Sequence, residues 1–426
     1  MDTHRTLTLV VFVLVYAGLI LFKRRRTEIL SAGVLVILAS GVLAPAVAAR
    51  AVSWNVIGIF AGVLLLAEMF TESGMPLRIA DILIDRSKNV GRAILLVCVF
   101  AGFVSIFVEN VATVLIVAPV AIQIARRVGA SPVPFLVGIA VSSNLQGAGT
   151  LIGDPPSMIL AAFLKMDFND FFWMDGHLSI FWAVQAGAVA GTAVLWLLFR
   201  RFRNPVEYID PPQVSTRTPS WAMGVLIVLL ALSPKFDPGF RWLGGTLCVG
   251  TALLVLLREE VRSRGTARRV LGGFDWNTTV FLIGVFILVE ALVETGLVRD
   301  FAGLFLRVVG SDPMGIYASL VSVSVVFSAL VDNIPYITAM IPVVQEVAAS
   351  ASISSATPLV FGMLLGASLG GNITPFGASA NVVAVGLLRK EGSPVSTWEF
   401  LKIGLPFTLA ATLAGAVFLA WAWNLG

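Results

Sequence analysis

Two apolar segments of the chain are interrupted near their middle by polar residues and prolines. In the first, SNLQGAGTLIGDPP lies within an apolar stretch that extends from 135 to 164. Proline lacks a backbone donor and disfavours helix in the residue before it, so a regular helix cannot continue through Asp154 and the two prolines. Irregular backbone at membrane depth is tolerated only inside protein or beside a watery cavity. The pattern predicts a broken helix of the kind that forms transporter sites, the alternative being a kinked structural helix.

The same pattern occurs again about 220 residues further along the chain, in GASLGGNITPFGASANVV. Other stretches repeat with nearly the same spacing and keep their polar positions aligned. The matched pairs are Asn55 with Asn277, Glu68 with Glu290, Glu109-Asn110 with Asp332-Asn333, Gly147 with Gly371, Thr150 with Thr374, and Gly153 with Gly377. Chance similarity between apolar segments would not keep polar residues in register, so the chain contains an internal duplication.

Apolar runs of spanning length predict the transmembrane helices. They cover 7–22, 29–49, 54–70, 135–164, 178–199, 221–232, 240–257, 276–293, 359–388 and 400–423. Two more apolar segments, 94–125 and 316–349, are interrupted by Glu109-Asn110 and Asp332-Asn333. Each of these is either two spans or one re-entrant hairpin with its polar tip in mid-membrane.

The distribution of charge favours the hairpins. If both segments are re-entrant, the loops that hold most of the 29 Lys and Arg residues fall on one side, which the positive-inside rule makes cytoplasmic. The prediction is an all-α polytopic membrane protein with ten spans, two hairpins, two broken helices and both termini outside. Its halves form an inverted repeat: residues 1–203 with spans 1–5 and hairpin 94–125, a cytoplasmic linker 204–220, and residues 221–426 with spans 6–10 and hairpin 316–349.

Composition agrees with this architecture. Hydrophobic residues make up 58% of the chain and charged residues 13%, which is typical of polytopic membrane proteins and not of soluble domains. The net charge of +4 reflects basic loops, so no nucleic-acid partner is expected. The two cysteines, Cys98 and Cys248, both lie in apolar stretches, so neither a disulfide framework nor a thiolate metal site is expected.

The segments SNLQGAGTLIGDPP, VDNIPYITAMIPV and GGNITPFGASANVVAVG resemble the ion transporter superfamily. The likeness covers nearly the whole chain and is greatest to the ArsB arsenite permeases and the P-protein branch. Dicarboxylate relatives carry Ser-Asn-Thr at each hairpin tip, whereas this chain has Glu109-Asn110-Val111 and Asp332-Asn333-Ile334. The NhaD antiporters are also similar but lack the double proline. Glu109 departs from the aspartate that is usual at the first tip of the nearer relatives.

The candidate site residues can be argued from their chemistry. A charged, unpaired carboxylate at bilayer depth is costly, so it binds a proton or cation, faces water, or caps a hairpin end. Asparagine and threonine side chains offer donors and acceptors for a small solute or oxyanion. The predicted substrate- and ion-binding set is Glu109, Asn110, Asn144, Gly147, Thr150, Gly153, Asp154, Asp332, Asn333, Gly371, Asn372, Thr374, Gly377, Ser379 and Asn381, with no metal and no cofactor other than a coupling proton or sodium ion.

The sequence leaves several functions open. The leading hypothesis, which follows the resemblance, is proton-coupled efflux of arsenite or antimonite across the cytoplasmic membrane. Recognition would use the hydroxyls of neutral As(OH)₃, because neither cysteine lies in a site motif. A sodium/proton or carboxylate transporter and an anion channel are the alternatives on the same fold, and an enzyme is not expected. A homodimer or a soluble ATPase partner is compatible with these functions, but the sequence shows neither.

Overall fold

The computed structural model describes residues 3–22, 25–85, 87, 89–127, 129–204 and 214–425. In this part of the chain the first half has ten α-helices: α1 Thr3–Leu21, α2 Arg26–Ala39, α3 Pro45–Ala51, α4 Trp54–Glu72, α5 Met75–Asp85, α6 Val90–Ser105, α7 Asn110–Arg127, α8 Val133–Gly147, α9 Pro155–Leu164 and α10 Ile180–Phe199. A small antiparallel hairpin of β1 (Trp173–Met174) and β2 (His177–Leu178) precedes α10.

The second half repeats the order helix by helix. Its described helices are α11 Thr218–Leu232, α12 Leu243–Arg262, α13 Thr266–Gly273, α14 Trp276–Glu294, α15 Leu297–Val309, α16 Pro313–Ser328, α17 Asn333–Ser350, α18 Thr357–Gly370, α19 Ser379–Lys390 and α20 Thr397–Ala422. Packing repeats in the same way: α4 contacts α12 while α14 contacts α2, and α7 contacts α19 while α17 contacts α9. The duplication seen in the sequence is therefore a duplication of the fold.

The contact between α10 and its counterpart α20 shows that the halves are inverted. A Cβ on Gly187 would lie 2.9 Å from the carbonyl oxygen of Ala411, and one on Gly415 would lie 2.9 Å from that of Ala183. Residue numbers therefore rise along one helix as they fall along the other, so the two equivalent helices are antiparallel. The prediction of an all-α membrane protein built as an inverted repeat is confirmed.

The two predicted broken helices and the two predicted re-entrant hairpins are all present. The broken helices are α8 with α9 and α18 with α19, and each break falls in the Gly- and Thr-containing stretch. The hairpins are α6 with α7 and α16 with α17, joined by the turns 106–109 and 329–332, which we call the first and second tips. Helices α8 and α18 are almost fully buried, so the broken helices form the centre of the molecule.

Some spans differ from the prediction. The run 29–49 is not one helix, because α2 ends at Ala39, Gly41 has a φ of +72°, and Pro45 begins the short helix α3. The amphipathic helices α5 and α15 were not predicted, and α15 meets α16 at 108°. In the described chain six helices are long and apolar enough to cross a membrane, or seven if that bent pair is one span. The half boundaries at 203 and 221 stay a prediction, since 205–213 of the linker lie outside the described residues, as do positions 23 and 24 of the basic run 23–26.

Candidate functional site

The two hairpin tips and the two broken helices meet at one cavity of about 290 Å³. Its walls include seven of the predicted site residues: Glu109, Asn110, Asn144, Asp154, Asp332, Asn333 and Ser379. Glu68 and Thr71, near the end of α4, and Gly273 and Asp275, just before α14, line the same cavity. Residues that are far apart in sequence and come from both repeats are thus brought to one place.

Each of the three predicted carboxylates lies at the N-terminus of a helix. Glu109 Oε2 accepts hydrogen bonds from the backbone amides of Val111 (2.8 Å) and Ala112 (3.1 Å). Asp154 Oδ1 accepts one from the amide of Ser157 at 3.0 Å, at the start of α9. Asp332 Oδ1 is 3.4 Å from the amide of Ile334. Such positions stabilise a negative charge through unpaired amides and the helix dipole, so capping and a role in the cavity coexist.

The tip asparagines are held in the same way in both repeats. Asn110 Oδ1 accepts a hydrogen bond from Ser105 Oγ at 2.7 Å, and Asn333 Oδ1 accepts one from Ser328 Oγ at 2.5 Å. These serines end α6 and α16, the helices that lead into the tips. Asn110 also lies beside the Asp154 carboxyl group, which connects the first tip to the first broken helix.

The predicted threonines lie behind the tips and not on the cavity wall. Thr150 is fully buried, and its hydroxyl donates to the carbonyl of Ile106 in the first tip. Thr374 Oγ1 donates to the carbonyl of Ala329 in the second tip at 2.7 Å. In this conformation both threonines position the hairpin turns, and their predicted part in ion binding stays a prediction.

The four predicted glycines permit close backbone approaches at the helix breaks. A Cβ on Gly153 would collide with the carbonyl oxygen of Gly147, and one on Gly377 would lie 2.6 Å from the carbonyl oxygen of Gly371. A Cβ on Gly147 would also collide with the side chain of Asn110. Glycine is therefore required where the chain folds back on itself beneath each tip.

Three predicted asparagines form one network between the repeats. Asn144 Nδ2 donates to Asn372 Oδ1 at 2.7 Å and to Asn381 Oδ1 at 3.0 Å. Asn372 Nδ2 donates to the carbonyl of Val141, and Asn381 Nδ2 donates to the carbonyls of Gly371 (2.8 Å) and Thr374 (2.9 Å). This network ties the end of α8 to the second helix break, and only Asn144 of the three lines the cavity.

Sequence reasoning missed a cation in the cavity. Arg26, the first residue of α2, places Nη1 2.9 Å from Asp332 Oδ2 and Nη2 2.9 Å from Thr278 Oγ1. Thr278 in turn donates to Asp275 Oδ2 at 2.5 Å. In the sequence Arg26 belongs to the run KRRR, which looks like an ordinary cytoplasmic loop, so its pattern gave no sign of this contact.

Acidic groups nevertheless outnumber basic ones in the cavity. Asp154 and Asp275 both lie close enough to Glu109 to interact with it electrostatically. Neither Glu109 nor Asp154 takes part in any ion pair within the described residues. The same residues contain no group of three or more His, Cys, Asp or Glu side chains arranged to hold a metal ion. In chemical terms, these groups suit protons or cations at the first tip and hydrogen-bonding solutes between the tips.

Residues 16–366 match the model of the citrate transporter family, CitMHS. The chain belongs to this family. An uncharacterized transporter of Mycobacterium tuberculosis is 31% identical to this CitMHS protein over 378 residues, 86% of each chain. The P protein of Sus scrofa is 25% identical over 449 residues, which cover 86% of this chain and 53% of that protein. The resemblance to the ion transporter superfamily, with P protein among the relatives, is confirmed, and the protein is a membrane transporter.

Two solved structures share the fold of this CitMHS protein. The YdaH transporter of Alcanivorax borkumensis superposes with a TM-score of 0.59 at 16% identity, covering 87% of this chain and 86% of that one. MtrF of Neisseria gonorrhoeae gives a TM-score of 0.52 at 14% identity, with coverages of 93% and 85%. At these identities the likeness concerns the fold alone.

Proposed function

We propose that this CitMHS protein is a secondary transporter that exports a small uncharged hydroxylated solute in exchange for protons, with arsenite or antimonite as the substrate. The observation that carries the proposal is the composition of the cavity between the tips. It offers amides, hydroxyls and an excess of carboxylates in the described residues. Such a wall suits a neutral solute with several hydroxyl groups, since these can both donate to carboxylates and accept from amides.

The balance of charge argues against a free polyanion as the substrate. Glu68, Glu109, Asp154 and Asp275 line the cavity without a described cationic partner, while Arg26 is paired with Asp332. At the low effective dielectric constant of a protein interior, like charges repel strongly over a few ångströms. Neutral As(OH)₃ meets no such repulsion.

Thiol coordination of arsenic has no support from the fold. Cys98 lies on α6 at a separate pocket with Gln146 and Gln185. Cys248 lies on α12, where its backbone packs directly against Gly62 of α4. Neither sulfur belongs to the cavity between the tips, so recognition through the hydroxyl groups of arsenite fits the site better.

Proton coupling is assigned to the first tip. Glu109 and Asp154 lie in the same wall of the cavity, and neither has a cationic partner in the part of the chain that the structure describes. Two neighbouring carboxylates in such a place do not both ionise cheaply, so the pair is suited to take up and release one proton in each cycle.

We further propose that the cavity opens towards the cytoplasm. The cavity reaches the end of the bundle where α4 ends and α14 begins, next to the basic segment 258–269. The positive-inside rule makes this the cytoplasmic side, with both termini outside. The structure would then be the state that takes up substrate from the cytoplasm.

Carboxylate transport is the second candidate, because a guanidinium lies in the cavity and the family is described as citrate transporters. Guanidinium groups bind carboxylates through paired hydrogen bonds. In this candidate Arg26 exchanges Asp332 for a substrate carboxylate, and the excess acidic groups require protons or a metal ion to accompany the substrate.

Purified protein in liposomes with an internal pH dye separates these functions. Arsenite, sodium and citrate are supplied in turn, each with and without a pH gradient. The proposal predicts arsenite flux with opposing proton movement and little response to sodium or citrate. Proton movement driven by sodium alone, or citrate flux without arsenite flux, would contradict it.

A cysteine-free variant tests the mode of recognition. The Cys98→Ser, Cys248→Ser double variant should keep the arsenite flux of the unmodified protein. Loss of that flux in a folded, normally inserted variant would show that thiols bind the substrate.

A further inference from the structure

Arg26 is the described cation that lines the cavity where the tips meet, and its guanidinium has both polar and aromatic neighbours. Its guanidinium pairs with Asp332 Oδ2 at 2.9 Å and donates to Thr278 Oγ1 at 2.9 Å. The ring of Phe281 lies 5.4 Å from its central carbon. Asp275 reaches it through Thr278. The arginine comes from α2 in the first repeat, whereas the carboxylate belongs to the second hairpin.

The repeat identifies the position that is equivalent to Arg26. Asn55 of α4 accepts a hydrogen bond from the amide of Gly245 in α12 at 2.7 Å. That bond ends on the side-chain Oδ1 of Asn55, whereas in its counterpart Asn277 of α14 the backbone carbonyl accepts a hydrogen bond from Thr27 Oγ1 in α2 at 3.2 Å.

The packing of the helices gives the same register: a Cβ on Gly62 of α4 would meet the backbone of Cys248, and one on its counterpart Gly284 of α14 would lie 3.0 Å from the side chain of Leu30. Gly245 and Thr27, each three residues before these contacts, are therefore equivalent positions.

The residues just before Thr27 and Gly245 occupy equivalent positions as well. Arg26 precedes Thr27, and Gly244 precedes Gly245, so Gly244 is the counterpart of Arg26. A Cβ on Gly244 would lie 3.0 Å from the side chain of Ile59 and 3.5 Å from that of Asn55. The first tip therefore has no cationic equivalent at this position, and its Glu109 makes no described ion pair.

The acidic groups at the two tips are neutralised in different ways. A carboxylate at bilayer depth is costly unless it is neutralised by a proton or by a cation. A guanidinium is always charged and offers donors in a fixed plane, so it neutralises a carboxylate permanently. Asp332 thus has a tethered cationic partner, whereas Glu109 and Asp154 have none among the described residues and are free to take a proton or another cation from solution.

We propose that the Arg26 guanidinium is a built-in counter-ion of the second tip and occupies the place that a transported cation takes at the first tip. Only the first half-site then binds a coupling ion, so one cation moves in each cycle although the fold contains two equivalent tips. This statement on the number of ions rests on the proposed proton coupling. The assignment of Arg26 as counter-ion does not depend on the substrate.

The test replaces the tethered cation by a free one. In the R26Q variant, millimolar guanidinium chloride should raise the melting temperature of the full-length protein in a saturable way, because a ligand that binds the folded state stabilises it. Tetramethylammonium, which has no hydrogen-bond donors, should not have this effect. The unmodified protein and the R26Q/D332N variant should not respond to guanidinium, since the site is filled in one and lacks its carboxylate in the other.

Equal responses of R26Q and R26Q/D332N to guanidinium would overturn the proposal, as would no response in a folded R26Q. If R26Q folds only when guanidinium is present, that dependence supports the proposal. The D332N variant gives a second measurement, because it leaves Arg26 unpaired and sulfate should then stabilise it more than it stabilises the unmodified protein. Unchanged sulfate sensitivity would contradict the assignment. These melting curves need no transport substrate, so failure of the arsenite or proton assays concerns the proposed function alone.

Discussion

The first and second hairpin tips are held by matched side-chain contacts but have different charged groups around them. Each tip follows a helix that ends in serine, carries an acidic residue before asparagine, and is held from behind by a threonine hydroxyl. The first tip adds Asp154 from its broken helix, at a position where the second has Ala378. The second tip has Arg26 instead. The first half-site therefore has two acidic groups and no described cation, and the second has one neutralised carboxylate.

This difference shows which parts of a duplicated transporter can diverge. The glycines, serines and threonines that shape the tips are matched because both halves need the same close backbone approaches. The charged residues that differ are supplied by neighbouring elements, Asp154 by the start of α9 and Arg26 by the start of α2. Neither residue lies in a hairpin turn, so these are the positions at which we propose that ion binding and substrate positioning were divided between the halves.

The largest effect is expected from bulk beneath the tips. Gly147→Leu and Gly371→Leu should both abolish flux, because leucine would enter the space of the tip asparagine. The leucine variants should therefore fail in both halves.

Alanine substitutions at the same two glycines should distinguish the halves. A Cβ at Gly147 collides with Asn110, whereas the nearest atom to a Cβ at Gly371 is 3.1 Å away. Gly147→Ala should therefore lose most flux and Gly371→Ala should keep a measurable part, at equal membrane levels of both proteins. Equal flux in the two alanine variants would show that the tips are equally tolerant.

An intermediate effect is expected from the asparagine network. Asn144 donates to two buried acceptors, while its counterpart Ser368 is buried and has no described hydrogen-bond partner. Each acceptor left unpaired costs about 1–3 kcal/mol. Asn144→Ala should therefore lower the melting temperature in detergent clearly, and Ser368→Ala should leave it unchanged or raise it. A larger loss for Ser368→Ala would contradict the described network.

The smallest effect is expected from the serines that hold the tip asparagines. Ser105→Ala removes the bond to Asn110 Oδ1 and the acceptor of Ser143 Oγ, and Ser328→Ala removes one donor shared by Asn333 Oδ1 and the carbonyl of Ala367. A typical hydrogen bond contributes about 1 kcal/mol. Both variants should lose a similar, small amount of thermal stability and keep transport. A loss of proton coupling in Ser105→Ala alone would show that this hydroxyl also belongs to the ion site.

Much of this arrangement could be predicted from the sequence, because polar residues inside apolar segments have few explanations. The break at Gly147–Asp154 and the tip at Glu109 followed from proline, glycine and charge at membrane depth, and the repeat followed from their alignment. The direction of the Thr150 side chain could not be predicted from the sequence, because a hydroxyl can face a cavity or a backbone carbonyl and only the packing of the folded chain decides between them. Arg26 was hidden because a basic residue at the start of a span looks like any loop residue. The split of 29–49 depended on Gly41, whose conformation the apolar pattern does not reveal.

The central claim is that the first tip carries the coupling proton and that the second positions the substrate. It is tested most directly by measuring substrate affinity and proton counter-flux together in Asp154→Asn and Asp332→Asn. Asp154→Asn should abolish flux driven by a pH gradient while substrate affinity stays close to that of the unmodified protein. Asp332→Asn should weaken substrate binding, because it removes the carboxylate that Arg26 holds at the second tip. An unchanged proton dependence in Asp154→Asn would contradict the account and move the coupling site to Asp332 or Glu68.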